Sequence, residues 1–215
     1  AQIADAGAQV SQAVGYNPAQ LTSGVKQVLE LSSIRAADNL GGVGGYSESQ
    51  QYRITLPEPV QNITGPLRAF GLGGYIDSVE NLMNTGAEQA AAQAKTLFIA
   101  AVKNMSVNDA IGIVRGGDNA ATQYFRSQTE TDLRAKYVPI MQAQLQQLGF
   151  YGDYKQLLNA YKLVPIANKP NLDLEEHAIT LGMDALFEQV AIEEAKIRAN
   201  PVEQGTALIS AIFKK

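Results

Sequence analysis

Residues 109–126 read DAIGIVRGGDNAATQYFR, and the reading of this stretch decides the fold. An apolar run ends at Arg115, two glycines interrupt the chain, and Asp118 precedes a segment with no further breaker. Glycine closes helices because it accepts the left-handed cap conformation, and aspartate opens them because its carboxylate accepts unpaired first-turn amides. The stretch therefore predicts a helix, a Gly116-Gly117 break and a second helix capped by Asp118. Upstream, Ser106-Val107-Asn108-Asp109 has the form of a capping box with Asp in place of Glu, so the first of these helices is expected from there to Arg115.

Helical signals continue on both sides. Asn17-Pro18 places a polar cap before a first-turn proline, and Leu21, Val25, Val28 and Leu29 follow at helical spacing as far as Gly41-Gly42. The longest helix is expected over 77–104, capped by Asp77, with Val79, Met83, Ala90, Ala94, Leu97, Ala101 and Met105 as its buried stripe. Residues 57–70 read as a helix split by Gly65-Pro66. Downstream, helices are expected over 129–149 with a bend near Val138-Pro139, over 153–164, and from Asp173 to about Ala199. Asn200-Pro201-Val202-Glu203 has cap, first-turn proline and box-closing glutamate, and opens the last helix. Residues 44–56 differ: Gly and Ser give way to alternation through Tyr52, Ile54 and Leu56, which predicts a short strand or β-hairpin. The expectation is an all-α, single-domain multi-helix bundle over 17–215 with seven to nine helices. A segment over 1–16, carrying a partly ordered helix at Ile3–Val14, precedes it.

Composition narrows the function. The 215 residues are 46% hydrophobic and 18% charged, in the range of folded rather than disordered chains, and they contain no cysteine, so disulfides and thiolate metal sites are excluded. The net charge is −4 and the 17 Lys and Arg are scattered, so the basic face that nucleic-acid binding requires is missing. Leu97–Val102, the longest apolar run, falls far short of the roughly 20 residues that span a bilayer. The start at Ala1-Gln2-Ile3 fits either an engineered boundary or, the preferred reading, a mature end left by signal-peptide cleavage.

Several motifs match a known family: Arg53-Ile54-Thr55-Leu56-Pro57-Glu58, Leu82-Met83-Asn84 with Ala87-Glu88, and Met105 with Asp109-Ala110. Further matches are Gly116-Gly117-Asp118-Asn119-Ala120-Ala121-Thr122 with Tyr124-Phe125-Arg126, Tyr137-Val138-Pro139-Ile140, and Ala185-Leu186-Phe187 through Glu193-Glu194 to Ile197-Arg198-Ala199-Asn200-Pro201. On these, over residues 20–213, the chain resembles the bacterial family known as domain of unknown function 4197. The resemblance implies an exported, envelope-associated helical domain with no assigned activity.

Chemistry-bearing groups are few. Around Asp118, first-turn amides, the Gly-Gly approach and Thr122 suit an anion cradle, but the Asp118 carboxylate as cap already fills that place. Asp118 with Asp109 is the corresponding hard-cation alternative, without calcium-loop spacing. Asn84, Glu88 and Lys95 share one helical face, a solvated flank or part of an interhelical network with Arg126 or Asp109. Glu194 and Arg198 read as an ordinary i,i+4 pair. His177 is the single histidine, too little for a zinc site or a serine triad, and it sits in a first helical turn where a surface position is expected. The glycine strings at 41–45 and 71–74 lack the strand context of nucleotide loops.

The expected function is a non-catalytic ligand-binding or protein-interaction domain of the periplasm. It uses no metal or cofactor, does not contact nucleic acid, and has a small molecule or an envelope protein as partner. Candidate ligand-binding residues are Asn84, Glu88, Asp109, Asp118, Thr122, Tyr124 and Arg126. They would line a groove between the long helix and the helix after Asp118. The alternative is a carboxylate-dependent hydrolase acting on an envelope substrate, with Asp109, Asp118 or Glu88 as acid and base. A purely structural subunit is the third reading.

Overall fold

The computed structural model describes residues 15–214; the expected helix at Ile3–Val14 and the Ala1 terminus lie outside them. Among the described residues the regular structure is all helix: α1 (Pro18–Gly41), α2 (Glu58–Gln61), α3 (Thr64–Ala69), α4 (Gly73–Asn104) and α5 (Ala110–Val114). There follow α6 (Ala120–Gln147), α7 (Phe150–Leu163), α8 (Leu174–Ala199), α9 (Pro201–Gln204) and α10 (Ala207–Phe213).

Local chemistry explains most boundaries. Asn17 and Gln20 cap α1 reciprocally, each side chain accepting the other's backbone N–H at 2.8 and 3.0 Å. Asp173 accepts the Glu176 amide at 3.1 Å and opens α8 as expected. Gly149, at φ 81°, takes the left-handed turn that lets α7 start three residues ahead of the expected Asp153.

Other expectations are corrected. Helix α4 begins at Gly73, so Asp77 is no cap; it pairs with Arg68 at 2.7 Å. The buried stripe of α4 passes through Phe98 and Val102, whereas Leu97 and Ala101 are half-buried. Residues 57–70 break at Asn62-Ile63, because Gly65-Pro66 falls in the first turn of α3, where a missing N–H costs nothing. The last helix is divided at Gly205: Asn200 donates to Glu203 at 2.7 Å instead of capping, and Thr206 caps α10 by accepting from Ile209 N at 3.2 Å. No strand forms over 44–56. There the Asn84 side chain replaces a partner strand, accepting from Ile54 N at 2.8 Å and donating to Ile54 O at 2.7 Å.

The described residues fall into two compact units, the first of 15–38, Lys95–Arg134 and 186–214, the second of Asn39–Ala94 and Ala135–Ala185. In the first, the rings of Phe98, Phe125 and Phe187 meet with centroids 5.2–5.8 Å apart. A second apolar cluster joins Val28, Ile197, Ile209 and Phe213, with Leu31, Val114 and Ile212 against it. Each such side chain contributes roughly 1.5–3 kcal/mol through burial. In the second unit, Tyr46, Tyr137 and Phe150 are wholly buried. The Tyr46 hydroxyl donates to Gly182 O at 2.7 Å, and a side chain at Gly182 would strike the Tyr137 hydroxyl.

Candidate functional site

A helix as long as α6 opens with backbone amides that have no partner within it. Asp118 does not take them. It is exposed in a turn, and α6 begins only at Ala120. The Glu194 carboxylate of α8 takes them instead, accepting from Ala121 N at 2.9 Å, Thr122 N at 2.7 Å and the Thr122 hydroxyl at 2.5 Å. A negative charge here is favoured by the dipole of α6 and by charge-assisted bonds.

Glu194 is balanced by Arg198, one turn on, whose Nε donates to it at 2.8 Å. The rest of that guanidinium turns to the other side of the glycine break. Its two terminal nitrogens donate to Val114 O at 3.0 Å and to Ile113 O at 2.8 Å, the latter a carbonyl that also accepts from Gly116 N at 3.1 Å. One i,i+4 pair therefore closes both helix ends flanking Gly116-Gly117. With Glu194 at 0% and Arg198 at 7% exposure, it is a buried network and not the ordinary surface pair its spacing implied.

The other expected site residues of this unit are placed separately. Asp109 is itself the cap of α5, accepting Gly112 N at 2.9 Å, and not the third residue of a box opened by Ser106. The Tyr124 hydroxyl donates to Ser106 O at 2.7 Å and accepts from Asn108 N at 3.3 Å, pinning the turn just before that cap. Arg126 lies 4.9 Å over the Phe187 ring and pairs with Glu130 at 2.8 Å. That hydrogen bond holds the Glu130 carboxyl below its ordinary range. Lys95, expected beside Asn84 and Glu88, pairs with Asp38.

Asn84 and Glu88 belong to the second unit. Glu88, 7% exposed, accepts from Tyr46 N at 3.2 Å, Ser47 N at 2.9 Å and the Ser47 hydroxyl at 2.7 Å. With Asn84 on Ile54, and Glu80 accepting from Leu56 N at 3.1 Å, three polar side chains of α4 hold the 45–56 segment. Asn84 and Glu88 are thus buried fasteners, not a solvated flank. His177 is half-buried, its Nε2 2.8 Å from Thr55 O, where it donates.

Beside the Glu194–Arg198 pair the first unit contains a cavity of about 500 Å³. Its apolar wall is Leu21, Ile111, Val114, Ile212 and Phe213; Arg115, Asp118, Arg198 and Lys214 supply its charge. Arg198 lies 4.9 Å over the Phe213 ring. Of the expected site residues, Asp118 alone lines this space. Glu194, Arg198, Arg115 and Lys214 were not among them. The 194/198 spacing was the available signal, but nothing local distinguishes a buried pair from an exposed one.

Among the described residues no three His, Asp or Glu side chains gather as a metal-ion site would require, and no helix is long and apolar enough to cross a membrane. Comparison with known proteins returns a family model described as "Protein of unknown function (DUF4197)", matching residues 15–214. No curated protein and no solved structure matches the chain.

Proposed function

We propose, for a chain that belongs to the DUF4197 family of proteins of unknown function, that it acts in the bacterial periplasm as a non-catalytic domain binding a small molecule in the cavity beside Arg198. The cavity carries this reading. Its size lies within the roughly 300–1,000 Å³ usual for small-molecule sites, and it combines an apolar wall with a few charged groups, as such sites do. The periplasmic placement rests on the family resemblance.

The carboxylates argue in the same direction. General acid–base work needs a carboxyl free to exchange a proton with substrate. Glu88 and Glu194 are each held by several donors, and Asp109 holds a helix start. Asp118 and Asp109 are both exposed, but Asp109 is committed to Gly112 N as the cap of α5. With Asp109 engaged as a helix cap, Asp118 has no second uncommitted carboxyl among these candidates to serve as the partner that a hydrolase of the paired-carboxylate type uses.

The test is native mass spectrometry of protein purified from the periplasm, beside an Ile212→Trp variant that fills the cavity. A small molecule retained by the wild type and lost from the filled variant supports the reading. Turnover of ester, glycan or peptide substrates that disappears in folded Asp118→Ala would replace it with the hydrolase.

A further inference from the structure

We infer that the cavity of the first unit is built for an amphipathic anion, a molecule with one carboxylate-like head and an aliphatic tail; this rests on the binding role proposed above. The charge count sets the sign. Arg115, Arg198 and Lys214 line the space against one carboxylate, Asp118. Arg198 is neutralised by Glu194, which lies behind it and is not part of the lining. Arg115 and Lys214 are exposed, and neither forms a salt bridge among the described residues. Two cations against one anion leave the mouth positive.

The guanidinium supplies a second, independent observation. Arginine carries five N–H donors. Arg198 uses three, one each on Glu194, Val114 O and Ile113 O. Each of its terminal nitrogens carries a second N–H, and the side chain, 7% exposed, lines the cavity. An anionic oxygen in the cavity would give those second N–H groups a charge-assisted acceptor.

The apolar wall defines the rest of the ligand. Leu21, Ile111, Val114, Ile212 and Phe213 offer branched aliphatic and ring surface, and Tyr16 is the one neutral polar side chain beside them, too few polar groups for a sugar or peptide and suited to a tail of methylene groups.

Calorimetric titration of the folded protein with decanoate, decanol and decyltrimethylammonium tests the inference, because the three share a tail and differ in head charge. Decanoate should bind at least about tenfold more tightly than decanol, and the cation most weakly. Arg115→Gln/Lys214→Gln, both at exposed positions, should weaken decanoate several-fold and leave decanol unchanged. Ile212→Trp should abolish both. Equal affinity for decanoate and decanol overturns the anionic head while the cavity remains a binding site. Absence of binding by all three, or binding undiminished in Ile212→Trp, overturns the inference, while the native mass spectrum of the purified protein decides the binding role separately.

Discussion

Glu194, wholly buried in α8, accepts both the backbone N–H and the hydroxyl of Thr122, 72 residues earlier, at 2.7 and 2.5 Å. A carboxylate from a distant helix thus does what an N-cap residue does locally, and its partner Arg198 closes the preceding helix as well.

Removing that carboxylate leaves Arg198 buried without a counter-charge. Glu194→Ala should lose about 3–5 kcal/mol of stability, the usual result of breaking a buried pair from one side. Thr122→Val, which deletes one hydrogen bond to a charged acceptor, should lose about 1–3 kcal/mol. Urea unfolding measures both, and a Glu194→Ala midpoint equal to wild type would refute the capping role.

Asn84 holds Ile54 through both halves of its amide. In Asn84→Ala the Ile54 N–H and C=O remain buried without partners, at about 1–3 kcal/mol each. Hydrogen exchange should show it locally, with Ile54 and Leu56 amides losing protection before those of α8. Uniform loss across the chain would show that the segment is held by something else.

Two glycines should respond in opposite senses. A Cβ at Gly45 would overlap the Leu40 carbonyl oxygen, so Gly45→Ala is destabilising. Gly152 lies in α7 with open space around it, and Gly152→Ala should stabilise by up to about 1 kcal/mol through helix propensity. Thermal denaturation of the two variants against wild type decides the matter by the sign of each shift.

Acid should erase the Arg126–Glu130 contribution. The hydrogen bond from Arg126 lowers the folded-state pKa of Glu130, so its stabilisation is present above the unfolded carboxyl pKa and disappears as pH falls through the folded one. The Tm gap between wild type and Glu130→Gln should therefore close as pH falls below the unfolded carboxyl value of about 4.3. A gap independent of pH excludes this linkage.

Alkali should act through buried phenols. Desolvation raises the folded-state pKa of Tyr46, Tyr137 and Tyr151, and for Tyr151 the bond to Glu175 adds to it. Their contribution is complete below the unfolded phenol pKa of about 10 and is lost above it, because only the unfolded chain ionises readily there. Circular dichroism should show cooperative loss of helix above about pH 10, with phenolate absorbance at 295 nm rising in the same step. Phenolate absorbance preceding the loss of helix would contradict it.

The helices and many of their ends were legible in the chain, since caps at Asn17 and Asp173 act within four residues of themselves. The roles at Asp77 and Asp118 were misread for the same reason: a good local cap was available at each. At Asp118 the carboxylate of Glu194 supplied the cap from elsewhere; at Asp77 the chain was already helical from Gly73. Alternation through Tyr52, Ile54 and Leu56 likewise predicted a strand, and one asparagine side chain satisfied the backbone instead.

By itself, the sequence determined a predominantly helical protein without thiol chemistry, because periodicity, helix punctuation and composition are properties of short segments. Only the tertiary structure decided what Asn84, Glu88, Glu194 and Arg198 are for. Their partners lie 30 to 85 residues away, and a polar side chain becomes a structural fastener or a lining group once packing removes it from water and leaves it particular groups to bind.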